Sequence, residues 1–368
     1  MRLPDKSSAQ RSAPAATASR VHGGPDVLGV PLFDFSTNSN ASGPCPQALA
    51  AVQLADAMRY PDPRYTELRA QLAAFHGVEV GRILLAGSAS EYIFRITAWV
   101  ARSGGGSVCV PEHAYGDYAH AAQAWGLEVS CEATHANLVW CCEPSSPLGG
   151  AHNPWPVLPR AQEPGSPAGG QGLLPLVPTV LDCAYAPLRL SGVPSLNADQ
   201  LAQVWQMFSP NKALGLTGVR GAYAIAPAGR EADVLALEAM ASSWPLGAHG
   251  VALLQAWVRP EVQGWLAESL HTLRRWKARQ IDLLGTLGWT CLPGDANFFC
   301  ARPAWLAAVP ADSAAAKWTV ELERLRSAGI KLRDTASFGL PGHVRLSVQP
   351  PVAQDALRLQ LAMGRRST

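Results

Sequence analysis

Phe208-Ser209-Pro210-Asn211-Lys212-Ala213-Leu214-Gly215-Leu216-Thr217-Gly218-Val219-Arg220 sets a lysine a few residues beyond an apolar run, inside a turn of small residues. Glycine and proline punctuate loops, so a lysine here is presented by backbone at the end of a strand rather than carried on a helix face. Taken alone, the segment fits a surface loop equally well. The choice narrows because the 368-residue chain holds only five lysines: Lys6, Lys212, Lys277, Lys317 and Lys331. Lys6 lies in an N-terminal tail, and Lys277, Lys317 and Lys331 sit in solvent-facing patterns. Lys212 is left as the candidate for chemistry.

Upstream of Lys212, helix-period and strand-like runs alternate, the pattern of a mostly parallel sheet covered by helices. Gln47 to Leu54 and Tyr65 to His76 read as helices, the second ending at a glycine cap, Gly77. Arg82 to Ala86 reads as a buried strand, followed by the small-residue turn Gly87-Ser88-Ala89-Ser90 and a helix from about Glu91, a layout that suits a phosphate. Ser107–Val110, Glu128–Cys131, Leu138–Cys142, Val177–Asp182, Leu201–Phe208 and Ala222–Ala226 supply further strands of one sheet. Pro144 to Gly172 is a Pro- and Gly-rich loop.

Downstream of Pro245 the period becomes helical, with Trp265, Leu270, Leu273 and Trp276 on one face. Short strands follow at Ala296–Ala301, Ile330–Arg333 and His343–Val348, with a helix from Ala314 to Ser327. The length exceeds one core. The expected division is a disordered tail (1–20), an N-terminal arm (21–45), a large α/β domain (46–255) and a small α+β domain (256–368).

Composition removes several function classes. Charged residues are 16% of the chain and the net charge is +2, against a usual charged share of about 25%, so no nucleic-acid or anionic-membrane partner is expected. Eight cysteines occur without C-x-x-C spacing, which argues against a metal site or a disulfide framework and fits reduced thiols in a cytoplasmic, soluble protein. The first twenty residues carry no continuous apolar stretch of the kind a secretory signal needs. No apolar run approaches the roughly 18 residues of a membrane span.

Around Lys212 the spacing resembles fold-type I pyridoxal-phosphate enzymes of the class I/II aminotransferase type. In that family a Ser-x-x-Lys segment is followed eight residues later by a phosphate-binding arginine, then glycine and an aromatic. This sequence has Ser209, Lys212, Arg220, Gly221 and Tyr223. Thirty residues before the lysine, Val180-Leu181-Asp182-Cys183-Ala184-Tyr185 resembles the family's Asp-Glu-Ala-Tyr signature. The resemblance implies pyridoxal 5'-phosphate as cofactor, with Lys212 carrying it as a Schiff base, and a mostly parallel sheet sandwiched by helices with a small α+β domain. It also implies a job for each matching residue. Asp182 would keep the ring nitrogen protonated so that the ring accepts electrons, and Tyr185 would hydrogen-bond the ring's phenolic oxygen. Ala89, Ser90, Ser209 and Arg220 would hold the phosphate. Tyr115 would stack on the ring, with His113 the competing choice.

Departures from the family pattern stand at three positions. Ser146 replaces an asparagine that bonds the phenolic oxygen, Cys183 replaces a glutamate, and Asn211 replaces a Ser or Thr. At the N-terminus, Val21-His22-Gly23-Gly24, Phe33 to Asn40 and Gly43-Pro44 resemble threonine-phosphate decarboxylases of cobalamin synthesis, cousins of histidinol-phosphate aminotransferases. Arg59-Tyr60-Pro61-Asp62-Pro63 resembles both, and implies a homodimer in which Tyr60 reaches the neighbouring subunit's cofactor. By the same resemblance His22, Asn38, Asn40, Asn297, Arg333 and Arg345 are substrate-pocket candidates, the arginines for carboxylate or phosphate. The expected activity is decarboxylation of L-threonine O-3-phosphate. The alternative is an aminotransferase of the histidinol-phosphate type, and a third reading is a homologue that binds the cofactor without turnover.

Overall fold

The computed structural model describes residues 22–156 and 177–364. The tail of residues 1–20, and most of the Pro144–Gly172 loop, lie outside the described residues. The first half of the fold runs β1 (Phe33–Asp34), α1 (Pro46–Gln53), α2 (Thr66–His76), β2 (Ile83–Ala86), α3 (Ala89–Arg102), β3 (Ser107–Cys109), α4 (Gly116–Ala124), β4 (Glu128–Ser130) and β5 (Leu138–Cys142). It continues with β6 (Thr179–Asp182), α5 (Ala198–Leu201), β7 (Trp205–Phe208), β8 (Ala222–Ile225), α6 (Glu231–Glu238), α7 (Ala248–Trp257) and α8 (Pro260–Thr286). The last elements are β9 (Trp289–Cys291), β10 (Phe298–Pro303), α9 (Ala311–Ser327), β11 (Ile330–Lys331), β12 (Arg333–Asp334), β13 (Val344–Ser347) and α10 (Pro351–Gly364).

Seven strands form one sheet in the order β2-β8-β7-β6-β5-β3-β4, parallel except for β8, which runs antiparallel to both neighbours. Its strands β2, β5, β6 and β8 are buried along their whole length, as a sheet covered on both sides requires. Successive side chains divide between two cores: Ile83 and Leu85 enter the one beneath α1, α2, α7 and α8, while Leu84 and Ala86 enter the one beneath α3, α4 and α6. The mostly parallel sandwich expected from sequence is present. A smaller antiparallel sheet, β12-β13-β10-β9, follows α8. Among the described residues no helix is long and apolar enough to cross a membrane.

The structure corrects several local expectations. The run from Leu201 is not strand throughout: Asn197 and Gln200 form a reciprocal capping box that winds Ala198–Leu201 into a helical turn, and pairing starts at Trp205. Ile330–Arg333 splits, with β11 pairing in parallel with β1 of the arm and β12 pairing with β13. Helices α4 and α10 and strand β9 have no counterpart in the sequence reading. Lys277 does not face solvent. It is buried and donates to the carbonyls of Gly294 and of Ala296 (2.8 Å), and burial lowers its pKa to about 8.

Behind the lysine turn, Trp257 Nε1 donates to the Tyr223 hydroxyl (3.1 Å), which also meets His76 Nε2 (2.8 Å). Burial lowers the His76 pKa to about 4, against about 6.5 when free. A group with a depressed folded-state pKa gives its full stability above its unfolded pKa and loses it as pH falls. Stability is therefore expected to decline between about pH 6.5 and pH 4, by up to about 3 kcal/mol at the lower limit. Urea midpoints measured across that window should fall in the natural chain and fall less in His76→Asn; equal slopes would refute the assignment to His76.

Candidate active site

Asp182, Glu143 and Ser209 all lie at or just past the carboxyl ends of the adjacent strands β6, β5 and β7, the edge where open α/β sheets bind ligands. After β7 the chain makes a compact turn in which the Leu214 amide reaches the Pro210 carbonyl (3.0 Å) and the Leu216 amide reaches that of Asn211 (2.8 Å). Gly215 has φ +69°, and a Cβ there would lie 2.6 Å from the Gly43 carbonyl oxygen, so only glycine fits. The Lys212 amine points back to Ser209 Oγ (3.3 Å) and stands 5.6 Å from the Tyr185 ring centre. Asn211 is spent on the turn itself, its amide donating to the Thr217 and Val219 carbonyls.

Asp182 is 5% exposed. Ala184 N–H donates to one carboxylate oxygen (2.8 Å), and the Tyr118 hydroxyl donates to the other (2.6 Å). Burial pushes the Asp182 pKa up, and the Tyr118 hydrogen bond, the Ala184 amide and the charge of Lys212 oppose that rise. Tyr118 is fully buried and stacks on Trp140 at 4.4 Å. Sequence reasoning missed it. Its only local signal is its place one helical turn beyond Tyr115, so that both rings lie at the start of α4.

Tyr185 accepts a hydrogen bond from Asn38 Nδ2 (3.3 Å), leaving the Asn38 side-chain oxygen buried without a partner. Tyr115 lies within reach of Ser90 Oγ (3.3 Å) at the start of α3, and the His22 ring centre is 6.5 Å from its own. At this helix start Ser88 is the cap, accepting from Glu91 N–H. Ser88, Ser90, Arg95, Trp125 and Arg220 line a cleft of about 640 Å³. Tyr60 stands apart: it is exposed and stacks on Trp244 at 4.4 Å. His113 does not stack on a ring here; its Nδ1 meets the Phe338 carbonyl (2.7 Å).

At the other end, Arg345 of β13 is 7% exposed. It donates to Ser146 Oγ (3.2 Å) and the Ser36 carbonyl (3.1 Å), while its Nε has no partner. No carboxylate pairs with it among the described residues. Arg333, opposite it on β12, donates to the Asp334 carbonyl and to Ser337 Oγ (2.8 Å). Asn297 donates to the Ser39 carbonyl (3.0 Å) and keeps a buried, unpartnered side-chain oxygen. Asn40 holds the arm in place: its amide donates to the Ala213 carbonyl and Ser269 Oγ, and its oxygen accepts from Ser42 N–H. Gly23 has a packing reason, since a Cβ would lie 2.2 Å from the Ser36 carbonyl oxygen.

These groups fit pyridoxal 5'-phosphate. A buried carboxylate with only neutral hydrogen-bond donors suits a protonated ring nitrogen, an aromatic lies beside a helix N-terminus with two hydroxyls, and the Lys212 amine stands 5.6 Å from the Tyr185 ring centre. A family model for aminotransferase class I and II matches residues 30–151 and 177–358.

The chain belongs to that family.

Among curated relatives, a histidinol-phosphate aminotransferase of Jannaschia sp. (strain CCS1) is 28% identical over 355 residues, covering 91% of this chain and 90% of the relative. The Ruegeria pomeroyi enzyme of the same name is 29% identical, covering 86% of each. Among solved structures, the Sinorhizobium meliloti histidinol-phosphate aminotransferase in complex with pyridoxal-5'-phosphate superposes with TM-score 0.72 at 22% identity, covering 90% of this chain and 89% of that one. An L-threonine-O-3-phosphate decarboxylase from Porphyromonas gingivalis gives 0.67 at 18% identity, covering 90% and 99%. At such identities these likenesses show the fold. This class I and II aminotransferase family member is a pyridoxal-phosphate enzyme.

Proposed function

We propose that the enzyme transfers an amino group between a phosphate-bearing amine or amino acid and a keto acid, in the manner of its histidinol-phosphate aminotransferase relatives. The observation that carries this reading is Arg345, a buried guanidinium with an unpartnered Nε and no acid beside it among the described residues. Such a cation is costly unless an anion joins it, and Arg333 across the ladder adds a second positive charge. The decarboxylase expectation rested on the N-terminal motif. Eight curated relatives at 26–29% identity carry the histidinol-phosphate aminotransferase name, which favours the alternative.

When bound, the cofactor supplies an electron sink for the bond broken at the substrate's Cα. Asp182 would keep the ring nitrogen protonated. Ser90, Ser209, Arg220 and the Ala89 end of α3 would hold the phosphate, and Tyr115 would cover one ring face. Tyr185, oriented by Asn38, would bond the phenolic oxygen, and Ser146 would support Arg345 rather than that oxygen. Arg345 and Arg333 would orient the substrate anion, and Asn297 and His22 would border it. Lys212 would bond the cofactor and then carry the proton at Cα.

Two experiments test this. The cofactor-loaded enzyme is given L-histidinol phosphate or L-threonine O-3-phosphate, with and without 2-oxoglutarate. Acceptor-dependent amino transfer is expected; carbon dioxide release from threonine phosphate without an acceptor would move the assignment to the decarboxylase. We further propose a homodimer, because Tyr60 is 78% exposed and suits a role across an interface. Tyr60→Phe is expected to weaken cofactor binding about tenfold, the worth of one hydrogen bond to a charged group, in a protein that elutes as a dimer. Unchanged affinity, or a monomer, would remove that role.

A further inference from the structure

In the antiparallel pair β12–β13, Arg333 lies directly opposite Arg345, and like charges facing each other across a ladder repel. Both guanidiniums lie over the Phe338 ring, that of Arg333 4.8 Å and that of Arg345 5.4 Å from its centre. Arg345 also lies 5.6 Å from the Phe298 ring, which meets Tyr185 at 4.7 Å, and Tyr185 is the ring beside Lys212. A continuous series of cation–ring and ring–ring contacts thus runs from Lys212 through Tyr185, Phe298, Arg345 and Phe338 to Arg333. Burial and the nearby Arg345 lower the Arg333 pKa to about 10, with the Asp334 carboxylate opposing.

Phe338 ends the short turn Ala336–Phe338, and that turn is fixed from both sides. Phe338 N–H donates to the Thr335 carbonyl (2.9 Å), and Thr335 Oγ1 donates to the Leu340 carbonyl (2.7 Å). Ser337 Oγ accepts from Arg333. The Phe338 carbonyl accepts from His113 Nδ1 at 2.7 Å; because a carbonyl can only accept, that nitrogen bears the proton. His113 sits two residues before Tyr115, so this single bond ties the arginine turn to the loop that presents the candidate ring-stacking tyrosine.

We propose that Phe338 and His113 are positioning residues for a two-arginine anion pocket. Phe338 holds the two guanidiniums at a fixed separation through its π faces, and His113 holds Phe338 in register with the Tyr115 loop. The ligand class is a phosphate or a similar dianion, which both arginines engage at once. The inference rests on the reading of Arg345 as the substrate-anion residue.

The test measures the affinity of inorganic phosphate for the cofactor-loaded enzyme by calorimetry, the cofactor being in excess so that its own phosphate site is filled. Phe338→Leu, which removes the ring facing both guanidiniums, and His113→Ala, which removes the hydrogen bond that holds that ring, are each expected to weaken binding about tenfold. His113→Gln, which keeps an N–H donor, should restore most of it. Arg345→Ala should abolish it; if it does not, or if the unsubstituted enzyme binds no phosphate, the reading of Arg345 itself falls. If Arg345→Ala abolishes binding while folded Phe338→Leu and His113→Ala bind within about twofold of the original, the positioning role alone is overturned. Should Phe338→Leu fail to fold, the His113→Ala and His113→Gln pair decides, and a Gln variant no better than Ala overturns the proposal.

Discussion

Lys212→Ala is expected to lower kcat for amino transfer by about four orders of magnitude, the upper range for removing a positioned proton carrier. Lys212 has two duties in the proposed mechanism: it would hold the cofactor, and it would carry the proton at the substrate's Cα. Its position 3.3 Å from Ser209 Oγ and over the Tyr185 ring directs the amine into the cluster of Asp182, Tyr185 and Tyr115. Borohydride treatment followed by mass analysis should find the cofactor fixed to Lys212 in the natural enzyme and to nothing in the variant. The sharpest competitor is Lys277, whose lowered pKa of about 8 would make it a serviceable nucleophile. Its amine is held by the backbone carbonyls of Gly294 and Ala296, however. An adduct on Lys277, or an alanine variant retaining more than about 1% of kcat, would end the assignment of Lys212.

Asp182→Asn is expected to cost about 10²- to 10³-fold in kcat, the usual loss when a preorganised electrostatic partner is removed. The amide keeps the shape but cannot hold a proton on the ring nitrogen. The effect should fall on kcat while the affinity for inorganic phosphate at the arginine pocket stays within about twofold, because that pocket is a separate charge cluster. Tyr118→Phe should give a smaller loss in the same direction. It removes the 2.6 Å hydrogen bond that opposes the burial-driven rise of the Asp182 pKa, so the carboxylate would protonate more readily. Equal kcat in Asp182→Asn and the natural enzyme, measured with saturating cofactor, would remove Asp182 from the chemistry.

What could be read from the sequence was local or rigidly spaced. The turn around Lys212 shows in Pro210, Gly215 and Gly218 because backbone geometry limits which residues fit, and the α3 start shows in its run of small residues. Alternation of apolar strands with helical periods gave the covered sheet, since a strand buried on both faces is built mostly of apolar residues. Boundaries shifted where a cap outweighed an apolar run, as Asn197 and Gln200 do just before β7.

The rest was set by contacts between residues distant in sequence. Tyr118 reaches Asp182 across 64 positions, and His113 reaches Phe338 across 225; neither distance leaves a periodic trace. Lys277 reads as solvent-facing because its helix carries basic residues around it, yet folding brings the Gly294 and Ala296 carbonyls to its amine and makes burial tolerable. The arm strand β1 has two residues and pairs with β11 some three hundred residues away, too short a run to announce itself. Sequence alone therefore pointed to the cofactor and singled out Lys212 as the proposed residue to carry it, because those readings depend on side-chain identity at fixed spacing. Only the tertiary structure decided which neutral donor supports Asp182, and which ring holds the two arginines apart, because those depend on desolvation and on distances that chain order does not encode.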